Sequence, residues 1–98
     1  MYKKIWVTGG TGLAGTALQS IKGDYPQGQF IFTGSKDCNL INPDSVIKFV
    51  EAFRPDAIIH LAAVSGGIGL SMKRPATLLR DNVLMNINVL EAARLLGV

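Results

Sequence analysis

Short apolar runs alternate along this chain with segments in which apolar residues recur every three or four positions. Lys4 to Val7 is the first short run and reads as a strand. After a glycine-rich turn, Leu13, Ala14, Ala17, Leu18 and Ile21 fall at helical spacing, which predicts a helix stopping near Lys22 and Gly23. Phe30 to Thr33 reads as a second strand. Asn42 then stands as an N-cap with Pro43 at the first helical position. Val46, Phe49, Val50 and Phe53 set one apolar face on that helix, which Arg54 and Pro55 end. Ala57 to Leu61 is nearly all apolar without alternation, as expected of a strand covered on both faces. Pro75 opens a long helical stretch to about Leu96, with Val83, Ile87, Leu90 and Ala93 predicted as its buried side.

Strands joined by helical crossovers demand a parallel sheet with right-handed connections, so the fold class expected is α/β. Three such strands cannot cover these helix faces and still close a core. The last helix also ends near Gly97, where another strand should follow, so residues 1–98 are expected to be the amino-terminal part of a larger protein.

Composition narrows the class. Of 98 residues, 48% are hydrophobic and 17% charged, with no apolar run long enough to span a membrane and too many core formers for a disordered chain. Cys38 stands alone and cannot form an intrachain disulfide. With no signal-peptide pattern at Met1 to Val7, the expected setting is cytoplasmic. Ten Lys and Arg against seven Asp and Glu give a net charge of +3, spread without a basic stripe. That distribution speaks against nucleic acid and suits a weak attraction for phosphorylated small molecules.

The segment Thr8-Gly9-Gly10-Thr11-Gly12-Leu13-Ala14-Gly15 lies between a predicted strand and a predicted helix, the context in which a glycine motif is informative. A first glycine permits the tight turn, a middle one lets backbone approach a pyrophosphate, and Gly15 lets the helix pack close to the strand. Free N–H groups at the helix start would hold the phosphates. A Walker loop is excluded because no Lys-Ser/Thr pair follows Gly15. About 20 residues beyond such a motif, an NAD-preferring chain places an acid on the ribose hydroxyls. Here Thr33-Gly34-Ser35-Lys36 occupies the end of the second strand. A hydroxyl and a cation favour the 2′-phosphate of NADP(H) over NAD(H); the alternative is that Lys36 is merely solvated and Asp37 holds the ribose.

Together, TGGTGLAG, the His60-Leu61-Ala62-Ala63 segment, and Asn82-Val83 followed by Asn88-Val89-Leu90-Glu91-Ala92-Ala93 resemble the extended short-chain dehydrogenase/reductase family of nucleotide-sugar epimerases, dehydratases and reductases. The resemblance covers the whole chain. It implies a Rossmann-type parallel sheet with flanking helices, the amino-terminal part of a doubly wound dinucleotide-binding domain whose remainder and substrate domain lie outside these residues. It also implies a nucleotide-sugar substrate and a homodimeric full-length enzyme. Matched residue by residue, it puts Gly9, Gly10, Thr11, Gly12, Leu13, Ala14 and Gly15 on the pyrophosphate and Ser35 and Lys36 near the adenosine phosphate. Asp37 and Leu40 would lie beside the adenine, and Leu61, Ala62 and Ala63 near the nicotinamide. The loop from Ser65 to Met72 would form part of the sugar pocket.

The family's Ser/Thr and Tyr-x-x-x-Lys catalytic groups belong to later segments, so no catalytic residue is assigned here. Tyr2 precedes the first strand, and Tyr25 has Gln29 rather than Lys four residues on. His60, inside an apolar strand, reads as structural, with its tautomer fixed by backbone. Cys38 lacks a nearby His and makes a poor nucleophile candidate. Asn82 either supports the helix near the active site or caps a local turn, and no spacing suits a metal. Three functions stay open: an NADP-dependent nucleotide-sugar epimerase/reductase, an NAD-using 4-epimerase or 4,6-dehydratase, and a dinucleotide-binding module without catalysis.

Overall fold

The computed structural model describes residues 3–63 and 75–98. Strand β1 (Lys4–Thr8) leads into helix α1 (Leu13–Ile21), which runs on through a short 3-10 turn at Lys22–Asp24. Strand β2 (Gln29–Thr33), helix α2 (Pro43–Phe53), strand β3 (Ala57–His60) and helix α3 (Pro75–Leu96) follow. The three strands form one parallel sheet in the order β2-β1-β3. Because the chain leaves β1 toward β2 and then crosses back over β1 to reach β3, right-handed connections put α1 and α2 on opposite faces.

Alternation along the strands sorts the side chains. Trp6 faces α2, fully buried, its ring centroid 4.5 Å from that of Phe49, and its Nε1–H donates to Thr33 Oγ1 at 2.9 Å. Its indole donor is therefore satisfied inside the core. Val46 and Val50 of α2, Met85, Val89 and Ala92 of α3, and Cys38 and Leu40 between β2 and α2 complete that cluster. Val7 points to the other face, paired in register with Phe32.

Local signals account for the helix ends. Asn42 Oδ1 accepts from the N–H groups of Asp44 at 3.0 Å and Ser45 at 3.4 Å, so α2 starts with a satisfied cap and Pro43 in the first turn, as its sequence predicts. It stops at Arg54, which takes a left-handed φ of 55°. At this same end of the sheet, Asp56 Oδ2 accepts from the N–H groups of Lys3 and Lys4, and Asp56 N–H donates to Lys4 O at 2.7 Å, clamping the starts of β1 and β3 together.

The buried side of α3 differs from the expectation. Val83, Ile87 and Leu90 are 42%, 54% and 70% exposed, and Ala93 is half-buried. The helix instead buries Met85, Asn88, Val89 and Ala92. Apart from Asn88 both sets are apolar, and they lie on roughly opposite sides of the helix, so periodicity alone cannot choose between them. Helix α1 likewise buries only Gly15, while Leu13 is 93% exposed. None of the described helices is long and apolar enough to cross a membrane.

Candidate functional site

Parallel strands end on the same edge, so the loops after β1, β2 and β3 converge there. They enclose a cleft of about 360 Å3, with Met85 of α3 as a further wall. This is the edge at which α/β sheets take ligands, and β1, flanked on both sides by crossovers running in opposite directions, marks the switch point.

The first loop shows what each glycine does. Gly9 has a left-handed φ of 65°, and a Cβ there would lie 2.7 Å from Ala62 N. At Gly10 a Cβ would lie 2.6 Å from Phe32 Cβ, and at Gly15 it would lie 2.6 Å from Gly10 Cα and closer still to Gly9 O. Those three glycines are required by the protein's own packing. Gly12 is different. Its φ of −78° and ψ of −177° suit any residue, and a Cβ would meet nothing nearer than Gly9 O at 3.4 Å. It lines the cleft and is the N-cap of α1, with no side-chain cap and no acid in the first turn. The N–H groups of Leu13, Ala14 and Gly15 have no partner within a helix that begins there. Gln19 Nε2 donates to Gly10 O at 2.7 Å and braces the loop from behind.

The second loop is a tight turn closed on itself. Asp37 N–H donates to Gly34 O at 3.1 Å, while Asp37 Oδ2 accepts from Gly34 N–H at 2.8 Å. Ser35 and Lys36 form the exposed tip, and Ser35 lines the cleft. The chain then passes Cys38 and Leu40, both buried. Asn88 of α3 holds it there by donating from Nδ2 to Leu40 O at 2.8 Å and Ile41 O at 3.0 Å. Burial pushes the Cys38 thiol up from its ordinary value, against a smaller lowering by its Ser45 contact, so the thiolate is disfavoured.

The third loop begins at Leu61. Thr8 Oγ1 accepts from Leu61 N–H at 3.0 Å and Ala62 N–H at 3.2 Å and lies 2.7 Å from His60 Nδ1, whose Nε2 lies 2.8 Å from Asn86 Oδ1. His60 is thus held by side chains of β1 and α3, where the sequence suggests backbone.

Of the residues singled out in the sequence, Gly9, Thr11, Gly12, Ser35, Cys38, Leu40, Leu61, Ala62 and Ala63 line the cleft. Gly10 and Gly15 lie behind it as packing positions, Leu13 and Ala14 are exposed at the start of α1, Lys36 is at the turn tip, and Asp37 closes the turn. The segment Ser65 to Met72 lies outside the described residues. Asn82 lies within α3 rather than at a turn. Sequence reasoning does not single out Thr33, Gly34, Asn39, Ile41 and Met85 as lining residues, nor Asn88 as a brace. Asn88 carries a usable signal: a polar residue in register with Met85, Val89 and Ala92 must find partners inside. Among the described residues no group of three or more His, Cys, Asp or Glu side chains gathers to hold a metal.

Comparison with known proteins agrees with this architecture. The model of the NAD dependent epimerase/dehydratase family matches residues 5–98. A probable GDP-L-fucose synthase of Drosophila melanogaster is 44% identical over 93 residues, which is 93% of this chain and 29% of that protein. GDP-L-fucose synthase of Dictyostelium discoideum is 33% identical over 94 residues, again 29% of its length. The chain therefore spans under a third of these curated relatives. The crystal structure of a GDP-L-fucose synthetase from Naegleria fowleri bound to NADP matches with a TM-score of 0.87 at 40% identity, over 98% of this chain and 31% of that one. The glycine loop, the parallel sheet and a match over nearly the whole sequence lead to one assignment: the chain belongs to the NAD dependent epimerase/dehydratase family.

Proposed function

We propose that these residues are the NADP(H)-binding portion of a nucleotide-sugar epimerase/reductase that, as a full-length enzyme, converts GDP-4-keto-6-deoxymannose to GDP-L-fucose. The observation that carries the reading is Gly12. Neither backbone conformation nor packing explains a glycine there, whereas a pyrophosphate seated on the start of α1 does. The space that a side chain would take is the space a phosphate needs. The relatives named above support the sugar, because their names are those of GDP-L-fucose synthases.

In this reading the N–H groups at the start of α1 hold the pyrophosphate, and Gln19 keeps the Gly10 carbonyl turned from it. Ser35 and Lys36 receive the adenosine phosphate. With one carboxylate oxygen of Asp37 committed to Gly34 N–H, the turn presents a hydroxyl and a cation at its tip in preference to an acid, which favours NADP(H) over NAD(H). Leu40 and Ile41 flank the adenine, while Leu61 to Ala63 face the nicotinamide end. The bound cofactor supplies the hydride for reduction of the sugar ketone. A cytoplasmic setting and a homodimeric full-length enzyme belong to the same proposal; the lone Cys38 suits a reducing compartment.

Fluorescence titration with NADPH and NADH tests it. NADPH is expected to bind more tightly, and Lys36→Glu is expected to erase the difference. Losing a charge-assisted contact costs about 1.5–3 kcal/mol, or roughly ten- to a hundredfold in Kd. Equal affinity for the two cofactors in the unmutated protein contradicts the assignment.

A further inference from the structure

We propose that Thr8, His60 and Asn86 form a polar relay that positions the Leu61–Ala62 backbone, with His60 acting as the neutral tautomer protonated on Nε2. The inference rests on the reading of the cleft as a dinucleotide site, since Leu61 and Ala62 form one of its walls. None of the three relay residues lines the cleft.

Register creates the relay. Thr8 and His60 are paired at the ends of β1 and β3, so both side chains emerge on the α3 face, where Asn86 stands. Beyond that pair the ladder offers only a longer bond, from Leu61 N–H to Thr8 O at 3.3 Å. Thr8 Oγ1 accepts from both Leu61 N–H and Ala62 N–H at shorter range, 3.0 and 3.2 Å. A hydroxyl has two acceptor sites and one proton. With both acceptor sites used, the Thr8 proton has to go to His60 Nδ1 at 2.7 Å. Nδ1 is then the acceptor, the ring proton sits on Nε2, and Nε2–H donates to Asn86 Oδ1 at 2.8 Å. Each group fixes the next, from helix α3 to the cleft wall. The wall also has no slack, because the Ala62 amide is pressed against Gly9 closely enough to exclude a Cβ.

Three measurements on the full-length protein and its variants test this. Imidazole nitrogen shifts of folded wild type should show Nδ1 unprotonated and Nε2 protonated; a proton on Nδ1 overturns the relay. Thr8→Val should speed hydrogen exchange about tenfold or more at the Ala62 amide and less at the Leu61 amide, which keeps its bond to Thr8 O, and Thr8→Ser, which keeps the hydroxyl, should restore wild-type exchange. NADPH Kd should follow the same order, rising about tenfold in Thr8→Val and recovering in Thr8→Ser. If Thr8→Val does not fold, Thr8→Ser and the tautomer decide. Unchanged exchange in a folded Thr8→Val overturns the positioning role. If wild type binds no dinucleotide, the cleft reading fails, while tautomer and exchange still decide the relay.

Discussion

Glycines 12 and 15 carry the same side chain for opposite reasons, and substituting each with alanine separates them. At Gly15 an added methyl group meets backbone atoms that cannot move aside cheaply, an overpacking cost of about 1–3 kcal/mol. The gain in helix propensity from Gly to Ala is at most about 1 kcal/mol, so the clash wins. Gly15→Ala should therefore lower the urea midpoint. Gly12→Ala should leave the stability within about 1 kcal/mol of wild type, because its Cβ makes only an ordinary contact with Gly9 O at 3.4 Å. Urea unfolding of both variants checks the contrast. The roles of the tight turn and the close helix packing are legible in the glycine spacing, and the φ of Gly9 and the crowding at Gly15 bear them out. Gly10 is less legible, since its demand comes from Phe32, brought alongside only by strand pairing.

At the scale of elements, apolar periodicity and helix caps locate every strand and helix described, with ends shifted by a residue or two. The Asn42 cap is one such signal, borne out by two hydrogen bonds. The buried side of α3 is not legible, because Val83, Ile87 and Leu90 rival Met85, Val89 and Ala92 in apolarity. Nor is the clamp at Asp56, which joins segments more than fifty positions apart. Backbone hydrogen bonds from Lys4 and then Lys3 hold the Asp56 carboxyl below its ordinary value. A group whose folded pKa is depressed adds stability above its unfolded pKa and loses it as pH falls through the folded one. Thermal unfolding of wild type and Asp56→Ala should thus differ at neutral pH and converge as the solution is made acid below the ordinary carboxylate range. A gap that persists unchanged in acid would assign the effect to something other than the ionised carboxylate.

For the molecule as a whole, the described residues assemble the cleft proposed to hold a cofactor and offer no evident acid/base pair beside it. Reducing a ketone requires a proton donor at the developing alkoxide, and epimerisation requires an acid and a base on opposite faces. His60 is committed to Thr8 and Asn86, and Cys38 is buried with its thiol pKa raised. The 98-residue chain should accordingly show no turnover of GDP-4-keto-6-deoxymannose. NADPH absorbance lost faster than in a heat-treated control would refute that. This division is legible in the sequence itself. The glycine motif and the His60-Leu61-Ala62-Ala63 segment stand at predicted strand ends, where the proposal places a cofactor, and neither tyrosine is followed by a lysine four residues on.

The most direct test of the account is calorimetric titration of NADPH into wild type and Gly12→Val, with circular dichroism to show that both are folded. A Cβ at this position meets only Gly9 O at 3.4 Å, an ordinary contact, and the branched side chain beyond it is expected to fill the space proposed for the pyrophosphate. Wild type is expected to bind and the folded variant to show no measurable binding. Equal affinity in the two would mean that Gly12 makes no room for a ligand and that the glycine loop is only a turn.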